Sequence, residues 1–378
     1  MAGKKYVVVG CGWIGLRAVR ALEANCPTAE ITVLEMGAKD YIDMNMTTPR
    51  AIVDPEFAEK VYQPLSKAWT GAKLVHVSGV TSVSSGSVVY TDAAGADHTL
   101  EADGIVIATG MVQSSPLIKD VTGMSKADRM AQCKAFGDAV KNSKAGVLVC
   151  GGGTTGVEVA GEIGDIKGVK CTLINKPDLL LKGSAKQAKM HKMVKKQLER
   201  AGVTVMLGDY IEGLREDYVG EPKTFKTHGG KEVTADVVVI CVGGHPNLPF
   251  APAEAKKDGK GGLLVDNAFL STKIGTDPAK PVWALGDCTV YGGRGSAADV
   301  HISAFVASVK NFEATGTTKG GPEKYKHKEN SSFPALVSVG HNGGAMSMPF
   351  PNKVMGKALK GKDLALAFMY KKEFKVAV

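Results

Sequence analysis

Twice in this 378-residue chain, about 140 residues apart, a short apolar run stops at a glycine-rich hexapeptide and restarts as a helical pattern. In the first copy Tyr6-Val7-Val8-Val9 runs into Gly10-Cys11-Gly12-Trp13-Ile14-Gly15. A helix over Leu16 to Ala24, with Ala18, Val19 and Leu22 on one side, and a strand over Ile31 to Leu34 follow. In the second, Gly146 to Cys150 runs into Gly151-Gly152-Gly153-Thr154-Thr155-Gly156, a helix to about Ile166 and a strand over Cys171 to Ile174. In this arrangement the first glycine permits the turn and the second lets backbone N–H groups reach a pyrophosphate. The third lets the helix pack on the strand. Two such units predict an α/β chain with two nucleotide folds and parallel sheets.

The ends of the second strands differ. Glu35 stands twenty residues beyond Gly15, where a carboxylate accepts from a ribose 2′-OH. The equivalent end in the second unit reads Ile174-Asn175-Lys176, with no acid to repel a 2′-phosphate and a lysine to attract one, so Asn175 and Lys176 are expected to leave that site open to both phosphorylated and unphosphorylated coenzymes. An exposed lysine at a turn is the plainer reading of Lys176.

Between and beyond these units, Leu74 to Val83 and Val88 to Thr91 read as antiparallel strands joined at Ser85-Gly86, and Ile105 to Ala108 as a buried strand. Residues 45 to 70 show no clear period. An amphipathic helix spans Gln187 to Arg200, and strands cover Val203 to Leu207 and Val237 to Val242. After Val282 to Asp287 comes a helix from Ser296 to Phe312. A Gly- and Thr-rich linker at 315 to 322 precedes a hairpin near 335 to 348, part of a small third unit. In Leu364, Leu366, Phe368 and Tyr370 large apolar residues alternate, as in a strand with one buried face.

Composition narrows the classes. With 44% apolar and 22% charged residues the chain is neither disordered nor fibrous. No apolar run approaches the roughly 18 residues of a spanning helix, and no cleaved signal peptide is expected before Tyr6. Ala2 follows Met1, so no myristoyl anchor is expected either. The seven cysteines never form C-x-x-C and mostly sit in apolar runs, which suits buried free thiols, a reducing compartment and a cytoplasmic location. The net charge of +9, with a local lysine excess at Lys353 to Lys375, suits a solvated face or a peripheral contact with anionic membrane. No nucleic-acid partner and no metal site are expected, and monomer and homodimer both stay open.

Two shorter signals join the glycine turns: Ala108-Thr109-Gly110, closing the strand Ile105 to Ala108, and Gly286-Asp287, closing the strand from Val282. With the first glycine turn they resemble the recurring trio of the flavin-dependent pyridine nucleotide oxidoreductases. The chain looks most like the apoptosis-inducing-factor-like branch, which takes in the ferroptosis-suppressor-type flavoproteins, and more distantly like the type II NADH dehydrogenases. Asn45 to Val53, Cys241-Val242-Gly243-Gly244, His301 and Leu336 to Val339 with Asn342-Gly343 carry the local match.

The resemblance implies two Rossmann-type domains with a small C-terminal α+β unit. FAD would occupy residues 1–118 and 244–322, NADH or NADPH residues 119–243, and the unit 323–378 would follow. FAD would be held by Gly10, Gly12, Trp13, Ile14, Gly15, Glu35, Arg50, Ala108, Thr109, Gly110, Gly286 and Asp287. The nicotinamide dinucleotide would be held by Gly151, Gly153, Thr154, Thr155, Gly156, Asn175, Lys176 and Gly243. Glu158 is expected to order the nicotinamide, with His301 and Lys119 beside the flavin or the acceptor; a core role for His301 and a helix-stabilising one for Glu158 stay open. A disulfide reductase needs a cysteine pair beside the flavin, and Cys11 stands alone, so a quinone-type acceptor is expected. The alternative is a flavoprotein whose redox state controls binding to a partner, nucleic acid or membrane.

Overall fold

The computed structural model describes residues 3–120, 122–182, 187–292, 297–321 and 336–347. In chain order the first part runs β1 (Lys5–Val9), α1 (Trp13–Asn25), β2 (Glu30–Met36), α2 (Thr48–Ala51), α3 (Pro55–Val61), β3 (Lys73–Val77), β4 (Gly79–Ser84), β5 (Ser87–Thr91), β6 (Asp97–Glu101), β7 (Gly104–Ile107) and β8 (Met111–Val112). The middle runs α4 (Lys126–Asn142), β9 (Val147–Cys150), α5 (Thr154–Gly164), β10 (Cys171–Asn175), α6 (Gln187–Arg200), β11 (Val203–Leu207), β12 (Tyr218–Lys226) and β13 (Glu232–Ile240). The last part is β14 (His245–Pro246), β15 (Val282–Ala284), α7 (Ala297–Thr315), β16 (Leu336–Val339) and β17 (Gly343–Met346).

Two five-stranded sheets organise the chain. One has the order β15-β7-β1-β2-β3, all pairs parallel, and the other β11-β10-β9-β13-β12, parallel except at its β12 edge. Strands buried on both faces need unbroken apolar runs, which Tyr6 to Val9 and Val147 to Cys150 supply: every one of these residues is buried. The chain leaves the first sheet after β7, builds the second, and returns to the first for β15. Helix α7 closes that return: Trp283 on β15 is fully buried edge-on to Phe305 and Phe312, and its indole N–H donates to Ser308 Oγ at 3.0 Å.

The single strand expected over Leu74 to Val83 is two. Residues to Val77 pair in parallel with β2, whereas Gly79 to Ser84 turn away into an antiparallel meander, β4-β5-β6. Periodicity alone cannot register that break, because both halves are extended. The stretch from 45 to 70 contains α2 and α3, the latter begun by Pro55 and capped by Asp54, whose carboxylate accepts the Phe57 N–H at 3.0 Å. Helix α4, absent from the sequence reading, starts at Ser125, whose hydroxyl accepts from Asp128 N–H at 3.2 Å. The 335–348 hairpin is β16 against β17, with Val337 opposite Ala345. The alternating segment at Leu364 to Tyr370 and the lysines of 353–375 lie outside the described residues.

Candidate functional site

Both glycine turns open onto one cavity of about 570 Å³. From the first turn Gly10, Gly12, Trp13 and Ile14 line it, with Glu35 at the end of β2, Ala108, Thr109 and Gly110 after β7, Lys119, and Gly286 with Asp287 after β15. From the second come Gly153, Thr154, Thr155 and Glu158 on α5, and Cys241 and Gly243 beyond β13. Leu336 of β16 closes part of the wall.

The glycines divide by job. A Cβ on Gly15 would stand 2.0 Å from Gly10 O, and one on Gly156 1.8 Å from Gly151 O, so these two let helix meet strand and do not line the cavity. Gly10 and Gly151 take φ of +90° and +112°, the left-handed turn itself. Gly12 and Gly153 have ordinary φ (−64° and −71°), and a Cβ on either would meet nothing within 4 Å. The space beside their backbones is therefore free for a ligand.

The acidic strand end does structural work as well. Glu35 is buried, and its Oε2 accepts the Cys11 N–H at 2.5 Å. In the second fold Asn175 Oδ1 accepts the matching Gly152 N–H at 2.8 Å, while its amide donates to Pro177 O (2.9 Å) and Leu179 O (3.2 Å). Asn175 is thus the counterpart of Glu35, its side chain spent on its own loop, and it is not among the residues that line the cavity. Lys176 also lies off the cavity wall: it is exposed, its Nζ 4.3 Å above the ring of Tyr210, which stacks on His228 at 4.7 Å.

A row of buried charges along one wall was not read from the sequence. Lys39 lies between Glu35 (3.9 Å) and Asp43 (3.9 Å), and Asp43 also meets Lys119 Nζ at 3.6 Å. Lys119 in turn donates to Asn45 Oδ1 at 3.1 Å. Burial alone would push the carboxyls up, but for Glu35 the charge of Lys39 and the Cys11 contacts outweigh it, and for Asp43 the charges of Lys119 and Lys39. Both carboxyls sit below their ordinary values. Lys39 is held above the usual lysine value because Glu35 and Asp43 outweigh its desolvation. A lysine three residues past a strand gives no signal of its own for such a role; the pattern of an acid at each i±4 position (Glu35, Lys39, Asp43) is the clue that was available.

Two further expected site residues are absent from the cavity lining. His301 is fully buried beneath the Gly286 turn, where its Nδ1 accepts the Gly286 N–H at 3.0 Å and its ring packs 4.0 Å from Phe269. It shapes the turn that carries Asp287 and does not line the cavity. Arg50 is also absent from the wall: it is 1% exposed and forms a two-point ion pair with Glu162 of α5, Nε to Oε2 and Nη2 to Oε1, both 2.9 Å. That contact uses the Nε and Nη2 groups of the guanidinium.

Cys241 is the one cysteine among the described lining residues, and burial pushes its thiol well above the ordinary value. All seven cysteines are free. The wall therefore offers no cysteine pair for thiol relay. Among the described residues no cluster of His, Cys, Asp and Glu is arranged for a metal ion, and no helix is long and apolar enough to cross a membrane.

Against known proteins, residues 4–311 match the family described as pyridine nucleotide-disulphide oxidoreductase, and the chain belongs to that family. It is 27% identical over 258 residues to apoptosis-inducing factor homolog A of Dictyostelium discoideum, covering 64% of this chain and 60% of that relative's length. It is 28% identical over 378 residues to ferroptosis suppressor protein 1 of Taeniopygia guttata, covering 95% of this chain and 93% of the relative. Among solved structures, a water-forming NADH oxidase from Lactobacillus brevis bound to NADH superimposes with a TM-score of 0.66 at 19% identity, over 91% of this chain and 74% of that one. The family's cofactors, FAD and NADH or NADPH, are those of this chain, and the cavity fits them. Gly12 and Gly153 leave open backbone where two pyrophosphates would lie, and the Trp13 indole N–H is buried at the wall with no hydrogen-bond partner among the described residues.

Proposed function

We propose that the protein is an FAD-dependent NAD(P)H oxidoreductase that delivers electrons to a quinone-type acceptor. The observation that carries this reading is the convergence of both glycine turns on one cavity whose wall holds Glu158 but no cysteine pair. Residues 1–118 and 244–322 form the flavin half in this reading, 119–243 the nicotinamide half, and 323–378 a C-terminal unit.

The residues divide the work. Gly12, Trp13 and Ile14 offer backbone N–H groups and the start of α1 to the pyrophosphate of FAD, Glu35 its carboxylate to the ribose, and Asp287 its carboxylate to the ribityl side. Gly153, Thr154 and Thr155 repeat the cradle for the nicotinamide dinucleotide at the start of α5. FAD, when bound, supplies the acceptor for a hydride from the nicotinamide and passes the electrons on. Glu158, 4% exposed and holding the Ser338 N–H at 3.2 Å, orders the nicotinamide over the flavin side of the cavity. Lys119, anchored by Asp43 and Asn45, stands as a cation on the flavin side, where it favours negative charge developing nearby.

The resemblance to the apoptosis-inducing-factor-like branch supports the quinone. Steady-state oxidation of NADH tests it: a soluble short-chain quinone should raise turnover at least about tenfold over dioxygen alone. Turnover no faster with quinone than with air would remove the quinone from the reading and leave oxidase chemistry or a slow redox-sensing role.

A further inference from the structure

We infer that Arg50 and Glu162 are positioning residues for the hydride step: their buried ion pair locks the β16–β17 hairpin onto α5 and thereby holds Glu158 and Leu336 at the cavity wall. This rests on the reading of Glu158 given above. Glu158 and Glu162 lie one turn apart on α5, and Asp165, which caps its C-terminal end, follows at helical spacing. Each holds a different part of the same seam. Glu158 accepts the Ser338 N–H at 3.2 Å, Glu162 accepts from Nε and Nη2 of Arg50, and Asp165 accepts the His341 N–H at 2.7 Å. The Arg50 guanidinium also reaches Gly340 O at 3.5 Å, so one side chain from α2 of the first part joins α5 of the second and the hairpin tip.

The backbone confirms how close that approach is. A Cβ on Gly161 would lie 2.6 Å from Gly340 N and 2.8 Å from Val339 Cα, and one on Gly340 would lie 2.3 Å from the Asp165 carboxylate. From the other side Gln197 of α6 holds the second strand, its amide donating to Gly344 O at 3.1 Å and its carbonyl accepting the Gly344 N–H at 2.8 Å. The hairpin also buries Val337, Val339 and Ala345, and its His341 Nδ1 lies 3.6 Å from Glu162 and 3.4 Å from Asp165, so loss of the Arg50–Glu162 pair shifts the hairpin without releasing it and disturbs Leu336 and the Ser338 contact that holds Glu158. Such a shift, about 1 Å, degrades an aligned hydride transfer far more than it degrades binding of the distant dinucleotide half.

The test replaces the ion pair by apolar side chains, Arg50→Met with Glu162→Leu, which avoids leaving one charge buried and alone. On the flavin-loaded protein the expected result is faster amide hydrogen exchange over residues 336–347 and a flavin-reduction rate constant at saturating NADH lowered at least about tenfold, with NADH dissociation changed less than about threefold. Gly161→Ala, which raises helix propensity while pushing the hairpin outward, should do the same with the ion pair intact and carries the test if the double variant fails to fold. Wild-type exchange and wild-type reduction would overturn the inference, as would faster exchange with an unchanged reduction rate. Glu158→Gln is the control: normal reduction in that variant overturns the reading of Glu158 and this inference with it, whereas slow reduction there beside normal reduction in the double variant overturns this inference alone.

Discussion

Gly12 and Gly153 make the assignment of two dinucleotides to two turns directly testable. Each has an ordinary negative φ and empty space where a Cβ would stand, so Gly12→Ala and Gly153→Ala meet no protein atom within 4 Å. For the flavin-free chain both substitutions should be neutral or stabilising by about 0.4–1 kcal/mol, because alanine restricts only the unfolded state. The added methyl lands where a pyrophosphate must touch backbone. Overpacking of that kind costs about 1–3 kcal/mol, which at 1.4 kcal/mol per decade weakens binding about 5- to 140-fold. Gly12→Ala should therefore lose FAD on gel filtration, with a fluorescence titration showing the weakened affinity. Gly153→Ala should keep its FAD and show the loss in the NADH dependence of flavin reduction. Melting of the flavin-free proteins checks that the fold is intact, since bound flavin itself raises the melting temperature. Gly15→Ala is the contrasting case: its Cβ would sit 2.0 Å from a backbone oxygen, and the protein should fail to fold. A Gly12→Ala protein that keeps full FAD affinity, or a Gly153→Ala protein that loses FAD yet binds NADH normally, would refute the assignment.

The buried charge row gives a pH prediction. Glu35 and Asp43 titrate below their ordinary values in the folded chain, so their contribution is complete above about pH 4 to 5 and is lost as pH falls through the lowered values; Lys39, held high, contributes fully below about pH 10 and loses its contribution above. Melting temperature should be flat between those limits, and Lys39→Met should abolish the alkaline fall and start the acid fall at higher pH; an unchanged profile would show that the row does not act as one. For coenzyme choice, NADH and NADPH should reduce the flavin with efficiencies within about tenfold, about 1.4 kcal/mol, and Lys176→Ala should slow NADPH more than NADH. A wild-type ratio above about a thousandfold would place the choice elsewhere. Asp287→Ala should yield folded, colourless protein, and retention of stoichiometric flavin would remove Asp287 from the site.

The fold was legible wherever burial on both faces forces an unbroken apolar run. Val147 to Cys150 and its glycine turn could be little else, and the third glycine of each turn is explained by a single close approach. What escaped is set by capping and by partners rather than by period. Helix α4 has a weakly amphipathic face, and its clearest sign, Ser125 three residues before Asp128, is a two-residue signal easily lost among other serines. The break at Ser78 depends on which neighbour each half pairs with, and pairing is a property of the whole sheet.

The site shows the same division in sharper form. Residues whose backbone makes the contact, such as Gly12 and Gly153, are marked by their own identity, because only glycine leaves that space. Residues whose side-chain charge makes the contact are not, since a lysine or arginine looks the same exposed or buried. Lys39 and Arg50 differ from the exposed Lys176 only through partners that the fold brings together: Glu35 and Asp43, each four residues away, flank Lys39, Lys119 extends the row from Asp43, and Glu162, more than a hundred residues on, pairs with Arg50. The flavin-side loop suggests that Arg50 helps to hold FAD; in the structure Arg50 meets the carboxylate of Glu162, one helical turn beyond Glu158, in two-point geometry. Burial pushes that carboxyl up against the pull of Arg50, so the pair is held by geometry that the fold must first build. A charge whose partner comes from another sheet cannot be assigned until both sheets are placed.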